Sequence, residues 1–225
     1  MKSEYTRILT LIPVAALAII PASAASHITN GSFETGTPPP NGSHENVAGS
    51  NVTGWTTGGT GGVVWYMTSS NWGNGGPPGG GAMLVNVNGN MTISQSFSVT
   101  VGTEYSVSYW EQKRGGGGYM FTTISLDTGT VIGTDGTPVI VSPGPASSIT
   151  QTTAVNNDWT LHSFKFTPDT SAIATLTFGN EFLEGDHGDN DGTYVDLVSV
   201  TSIPEPAAAL LGGLGLLTLL RRRRA

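Results

Sequence analysis

Apolar and polar residues alternate in a succession of short segments through most of the chain. In Met91–Val99, for example, apolar residues occupy positions 91, 93, 97 and 99, and serines occupy positions 94, 96 and 98. A period of two places one set of side chains on each face of a β-strand, so that one face is buried and the other is wet. Residues 25–202 show no convincing helical period. The pattern therefore predicts an all-β body.

The alternating segments are separated by Gly- and Pro-rich intervals that are typical of turns and loops. The segments are Val63–Met67, Ala82–Val87, Met91–Val99, Tyr105–Lys113, Tyr119–Leu126, Trp159–Thr167, Ala172–Phe178 and Tyr194–Thr201. Asn88-Gly89-Asn90, which lies between two of them, indicates a tight hairpin. So many short strands predict two antiparallel sheets packed face to face in a jelly-roll-like sandwich.

Composition and charge narrow the range of functions. The 225 residues include 32 Gly and 13 Pro but no Cys, which excludes disulfides, Cys-ligated metals and a Cys nucleophile. Six of the nine basic residues lie near the two ends, so residues 25–203 contain three basic and 14 acidic residues, a balance of −11. A body of this charge repels nucleic acid phosphates and anionic lipid surfaces. We therefore expect no nucleic acid partner.

The N-terminal segment has the pattern of a secretory signal. An apolar run, Ile8–Ile20, follows Lys2 and Arg7 and precedes the small residues Ala22-Ser23-Ala24. This order predicts a signal helix over residues 1–24, removed before Ala25, and hence an exported protein.

The C-terminal segment combines the triplet Pro204-Glu205-Pro206, a short apolar run that predicts a helix, and the four arginines Arg221–Arg224. Ala207–Leu220 carries no charge and would span about 21 Å as a helix, less than the roughly 30 Å of a bilayer core. Basic residues stay on the cytoplasmic side, so the body is expected outside. These lengths favour a transient membrane helix over a permanent anchor.

The same three parts, in this order, resemble the PEP-CTERM sorting domain of Gram-negative, biofilm-forming bacteria. The resemblance covers residues 203–225 and implies a partner, an exosortase-type membrane enzyme that processes the tail. It also implies transient anchoring in the inner membrane and delivery to the cell surface or its exopolysaccharide. A plain single-pass membrane tail is the alternative. The residues of the implied sorting motif are Pro204, Glu205, Pro206, Arg221, Arg222, Arg223 and Arg224.

The body contains five short motifs: Asn30-Gly31-Ser32-Phe33-Glu34, Gly54-Trp55, Ile93-Ser94-Gln95-Ser96-Phe97, Gly102-Thr103-Glu104-Tyr105 and Tyr194-Val195-Asp196-Leu197-Val198-Ser199-Val200. In these motifs the body resembles the galactose-binding-like β-sandwich, a superfamily that includes carbohydrate-binding modules and DUF642-type wall proteins. The resemblance implies a single sandwich over residues 25–202 with a surface polysaccharide as its partner.

Asp196 poses a physical problem in this sandwich. It is in phase with Tyr194, Val198 and Val200, so the alternation predicts that it points toward the core. A buried carboxylate without a partner costs several kcal/mol, and a bound hard cation would remove that cost. The resemblance implies a structural calcium held by Glu34 and Asp196 together with backbone carbonyls. The alternative is that Asp196 accepts a hydrogen bond from a neighbouring turn.

Exposed aromatic rings are the candidate sugar platforms, because an indole stacks on the apolar face of a pyranose. Alternation places Trp110 on the wet face of its strand, with Gln112 two residues further on the same face, within reach of a sugar hydroxyl. Trp72, in a polar loop, is the second candidate. Core packing remains the alternative for Trp110.

No catalytic motif is evident in the sequence. It contains no nucleophile elbow, no phosphate-binding loop and no spacing that pairs two carboxylates for acid and base roles. We therefore expect a protein that is not an enzyme. Two hypotheses remain: a carbohydrate-binding module held in surface polysaccharide, and a structural matrix protein without a specific ligand. An exposed aromatic face would favour the first, and a face of only Ser and Thr the second.

Overall fold

The computed structural model describes residues 25–37, 44–46, 52–68, 75–81, 83–114, 119–135, 139–140, 148–154, 158–181, 192–204, 212–213 and 215. Within them the chain forms strands that pair only in antiparallel fashion. The strands are β1 (His44–Asn46), β2 (Thr56–Thr68), β3 (Met83–Val99), β4 (Glu104–Arg114), β5 (Tyr119–Leu126), β6 (Val131–Asp135), β7 (Val139–Ile140), β8 (Ser148–Ala154), β9 (Thr160–Pro168), β10 (Ala172–Glu181) and β11 (Gly192–Ile203).

The strands hydrogen-bond in the order β6-β9-β4-β11-β3-β10-β5-β8-β7, with β2 and β1 added beside β3. The ladder folds into two layers at β3, because this strand changes partner along its length. Residues 85–88 pair with β11, and residues 92–99 pair with β10. We call β6-β9-β4-β11 with the first half of β3 the front layer, and the second half of β3 with β10-β5-β8-β7 the back layer. The predicted all-β sandwich is confirmed.

The length of β3 contradicts the predicted hairpin at Asn88-Gly89-Asn90. Asn88 pairs with Gly192 on one side and with Val63 on the other, so the stretch is held extended between two strands. The irregularity that a turn would have introduced lies instead in β2, where the register shifts between Thr60 and Val63. Cross-strand pairing has overridden the local turn preference of Asn and Gly.

The core lies between the two layers and follows the predicted alternation. Tyr105, Val107 and Tyr109 of β4 are buried, as predicted. The ring of Tyr109 meets Phe178 of β10 edge to face at a centroid distance of 5.0 Å, which ties the front layer to the back layer. Burial of such rings supplies most of the driving force for closing the sandwich.

The N-terminal strap, residues 26–36, lies against β11 beyond the point where β3 leaves it. The backbone N–H of His27 donates to Val200 O at 2.7 Å, and the N–H of Val198 donates to Gly31 O at 2.8 Å. Gln95 of β3 is buried and bonds both backbone groups of Thr29, at 2.6 and 2.9 Å. The strap thereby supplies the partners that β11 would otherwise lack.

Several predicted segments lie outside the described residues: the signal helix, and Glu205, Pro206 and the four arginines of the tail. Pro204 is described and exposed. Among the described residues, none belongs to a helix with the length and apolar character needed to cross a membrane.

Candidate functional site

A bulge in β11 decides which residues of this strand face outward. Its register with β4 shifts between Asp196 and Ser199, and Leu197 adopts a left-handed backbone with φ of 50°. Before the bulge, Asp196 pairs with Trp110, and so both lie on the outer face of the front layer. After it, Val200 pairs with Val107 and faces the core. The predicted common phase of Asp196 with Val198 and Val200 is therefore wrong, although its predicted burial is correct.

A loop covers the outer face at the level of Asp196. We call residues 75–81 the cover segment; its Pro77 is buried, and its Gly75 carbonyl accepts a hydrogen bond from Trp159 Nε1 at 3.2 Å. The ring of Trp159 packs against Tyr194, which is only 1% exposed, with centroids 6.3 Å apart. This small cluster is separate from the main core.

Gln112, on the same face, is also buried. Gln112 pairs with Tyr194 of β11. On the other side, Trp159 directly precedes Thr160, the first residue of β9, which pairs with Glu111. The rings of Tyr194 and Trp159 therefore lie on either side of Gln112. Its side chain is 7% exposed. The prediction that Gln112 is accessible to a sugar is therefore wrong, because alternation along a strand does not show what a distant loop will cover.

The Asp196 carboxylate is fully buried and incompletely satisfied. Its Oδ1 accepts the backbone N–H of Leu197 at 2.6 Å, whereas its Oδ2 has no hydrogen-bond partner within the described part of the chain. Burial raises the pKa of Asp196 from 3.8 to about 7; the Leu197 N–H lowers this pKa, and the negative charge of Glu34 raises it further. The site therefore disfavours the bare carboxylate.

The cover segment and the strap bring the two predicted carboxylates together. A Cβ atom on Gly80 would lie 2.8 Å from Asp196 Oδ2, and a Cβ atom on Gly81 would overlap the Glu34 carboxylate. Only glycine allows the segment to pass this close to both acids. The pairing of Glu34 with Asp196, implied by the family resemblance, is therefore present as a juxtaposition of two acidic side chains.

The sequence motif around Asn30 explains how the strap places Glu34. Asn30 has φ of 52°, and its side chain bonds Thr35 and the carbonyl of Thr53, at 2.6 to 3.0 Å. Phe33, with φ of 57°, is fully buried against Trp55 at 5.1 Å. Left-handed backbone is uncommon for residues other than Gly, and it occurs here beside Glu34, as it does beside Asp196.

Trp110 lies at the edge of the covered area. One cross-strand neighbour, Asp196, is fully buried, and the other, Leu161 of β9, is 54% exposed. Trp110 itself is half-buried. Two residues along β4, Ser108 pairs with Ser163 on one side and Ser199 on the other, which forms a row of hydroxyl side chains. Trp110 thus remains accessible where Gln112 does not.

The described residues contain neither Trp72 nor a ready-made cluster of metal ligands. Trp72 lies outside the described residues. Among the described residues, no group of three or more His, Asp or Glu side chains is placed to hold a metal. Glu34 and Asp196 would therefore need backbone carbonyls as additional ligands.

A polar pair on the inner face was missed from the sequence. His162 Nε2 lies 2.8 Å from Glu111 Oε1, the Glu111 side chain is 1% exposed, and the His162 ring stacks on Tyr109 at 5.6 Å. Glu111 lies two residues after the buried Tyr109, so the alternation along β4 already indicated that Glu111 is on the inner face. The pair lies on the opposite face of β4 from Trp110.

Comparison with known proteins gives a family and a set of similar folds. A family model described as "Protein of unknown function (DUF642)" matches residues 26–201. No curated protein matches. TmCBM61, solved in complex with beta-1,4-galactotriose, is 15% identical with a TM-score of 0.48, covering 80% of this chain and 100% of its own. The CBM22-2 xylan-binding domain of Paenibacillus barcinonensis Xyn10C is 10% identical with a TM-score of 0.42, covering 68% and 94%.

Replacement of Asp196 by Asn should alter the pH dependence of stability in metal-free solution. Because the folded chain holds the Asp196 proton up to about pH 7 and the unfolded chain releases it near 3.8, this carboxyl destabilises the fold progressively as the pH rises between these values. We expect the free energy of unfolding of Asp196→Asn, relative to the wild type, to rise across this window and then level off.

Urea titrations with chelator at pH values from about 4 to 8 measure this difference. Asp158→Asn, which removes an exposed carboxylate, is the control for a general loss of negative charge. A difference for Asp196→Asn that stays constant across the window would contradict the raised pKa.

Proposed function

Because this chain belongs to the DUF642 family, a family of unknown function, we propose its function from the site itself: its β-sandwich binds carbohydrate on the outer face of the front layer. The observation that carries the proposal is the accessible pair of Trp110 and Leu161, beside the row of Ser108, Ser163 and Ser199. The protein would act at the cell surface or in the extracellular matrix, retained by surface polysaccharide.

The chemistry of a sugar fits this arrangement. A pyranose has an apolar face of C–H bonds that stacks on an indole, and its hydroxyls exchange hydrogen bonds with serine hydroxyls, which both donate and accept. Trp110 is held on a central strand between β9 and β11, so its ring loses little freedom on binding. The cover segment forms a boundary on the Asp196 side of the ring.

We propose binding without catalysis. An acid and base pair for hydrolysis must flank the scissile bond. The Glu111–His162 pair lies on the inner face of β4, whereas Trp110 and the serine row lie on its outer face. A sugar seated on Trp110 would therefore be separated from this pair by the sheet.

Trp110→Ala should weaken polysaccharide binding at least tenfold, because it removes the stacking surface. A tenfold loss corresponds to about 1.4 kcal/mol. Since Trp110 is half-buried, we also expect a fall of a few degrees in melting temperature while the fold is retained. Affinity electrophoresis in gels containing neutral polysaccharides measures the binding, and circular dichroism measures the melting.

Ile173→Ala is the control, because it truncates an exposed apolar residue of the back layer. This variant should bind like the wild type. If folded Trp110→Ala binds polysaccharide as tightly as the wild type, Trp110 is not the surface on which the sugar stacks.

We also propose that Glu34 and Asp196 hold a structural calcium ion. Three observations support a cation here: Asp196 Oδ2 has no hydrogen-bond partner among the described residues, Glu34 adds a negative charge beside it, and Gly80 and Gly81 pass close to both acids. Carboxylate and backbone carbonyl oxygens are the ligands that calcium prefers. A bound ion would offset the repulsion between the two acids and fix the strap to the cover segment.

Calcium should stabilise the wild type. An ion that binds only the folded state adds about 2.7 kcal/mol at a hundredfold excess over its Kd. Removal by chelator should lower the melting temperature by several degrees, and Asp196→Asn and Glu34→Gln should abolish the difference. Asp158→Asn, which removes an exposed carboxylate, is the control. Identical melting of the wild type with calcium and with chelator would refute the ion.

The segment after the sandwich is proposed to be a sorting signal that an exosortase-type enzyme processes in the inner membrane. The proposal rests on the order of Pro204-Glu205-Pro206, the apolar run and the four arginines. In a host with such an enzyme, Glu205→Ala should shift the protein from the cell surface to the medium or the membrane. Intact-mass spectrometry of surface material should show a chain without Arg221–Arg224; recovery of the full C-terminus would count against processing.

The outer face of the back layer favours a second candidate, a matrix protein without a specific ligand. There, rows of hydroxyl residues cross three strands: Ser96, Thr175 and Ser125 in one row, and Ser94, Thr177 and Thr123 in the next. Ser96 Oγ and Thr175 Oγ1 are 2.9 Å apart and bond each other. If retention in the matrix is unaffected by Trp110→Ala but lost when this face is changed, the second candidate holds.

A further inference from the structure

The outer face around Trp110 offers an acidic sugar no cationic partner among the side chains that the structure describes there. Arg114 lies on the same face in the register, four residues along β4 from Trp110 and beyond the buried Gln112. The nearest cation whose side chain the structure describes is Lys165, which is across from Ser106 and four residues along β9 from Leu161. Its Nζ is 3.2 Å from Glu104 Oε1, so its charge is already paired. Asp158, three residues before Leu161, is exposed and acidic.

The apolar neighbour of Trp110 adds to this selectivity. Leu161 lies directly across from Trp110 and is 54% exposed, on a face whose other described residues are mostly polar. A directly opposed pair has Cβ atoms about 5 Å apart, so the leucine extends the indole by roughly the width of one strand. A charged group laid on this pair would lose water without gaining a hydrogen bond.

We propose that this platform selects uncharged polysaccharide over polysaccharide bearing uronic acids, and that Leu161 is a contact residue that contributes to the selection. The proposal rests on the proposed carbohydrate function and specifies the ligand class of the same face. The balance of −11 in residues 25–203 acts in the same direction, since it repels an anionic polymer at long range. An ion held by Glu34 and Asp196 would neutralise those two acids and leave the rest of the balance unchanged.

A matched pair of polymers tests the proposal. The neutral polysaccharide that the full-length protein binds best is compared with the same polymer after oxidation of its primary hydroxyls to carboxylates, by isothermal titration calorimetry. We expect the oxidised polymer to bind at least tenfold more weakly at low ionic strength, and the gap to narrow in about 0.5 M salt, where charges are screened. Leu161→Ala should weaken binding of the neutral polymer several-fold.

Leu161→Lys should reduce the difference in affinity between the neutral and the oxidised polymer, because it places beside Trp110 a cation that attracts the oxidised one. The matched control is Ile173→Lys, which adds the same charge at an exposed apolar position on the opposite layer and should leave the ratio of the two affinities close to that of the wild type.

Four results would overturn the proposal. Equal binding of the two polymers, or equal effects of Leu161→Lys and Ile173→Lys, would refute selection by this face while leaving carbohydrate binding intact. A gap that does not respond to salt would show that shape, and not charge, discriminates. Binding of no polymer at all by the folded wild type would refute the proposed function itself.

Discussion

The organisation of this sandwich follows from one unmet requirement: β11 loses β3 as its partner after Val195, and its remaining backbone groups must still be paired. The strap meets that requirement through His27 and Gly31. The bulge after Asp196 adjusts the strand to its new neighbour and turns Asp196 outward while Val200 stays in the core. Glu34 and Asp196 come together because the strap and the bulge both occur where β11 exchanges β3 for a new partner.

Local pattern was sufficient for strands such as β4 and β5, which have one face in the core and one in water, but it missed β6 and β8. The prediction for β5 has the observed bounds, and the buried positions of β4 were correct. It failed where pairing decides the outcome, as at Asn88-Gly89-Asn90. The first half of β2 was missed because Thr56-Thr57-Gly58-Gly59-Thr60 has no alternation; pairing with β3 holds it extended. Partners distant in sequence supply that information, and no window along the chain contains it.

The sequence predicted the candidate site only in part, because partners distant in sequence also decide which side chains are covered. Trp110 was placed on the correct face by alternation, and Glu34 and Asp196 were paired by resemblance. Tyr194 and Trp159 lie on either side of the buried Gln112, and the cover segment that bonds Trp159 consists entirely of Gly and Pro and carries no periodic signal. A bulge likewise leaves no mark in the hydrophobic pattern except an apparent break of phase, since Val195 and Val198 both face the core.

The bond between Ser26 and Val200 spans 174 positions of the chain. A contact of this range can form only after almost the whole domain has been synthesised, so the strap lacks its partners on β11 until that strand has left the ribosome. Loop closure over such a length is entropically costly and is typical of slow folders with high contact order. The contact between the strap and β11, which brings Glu34 to Asp196, is therefore among the last that a newly made chain is able to form.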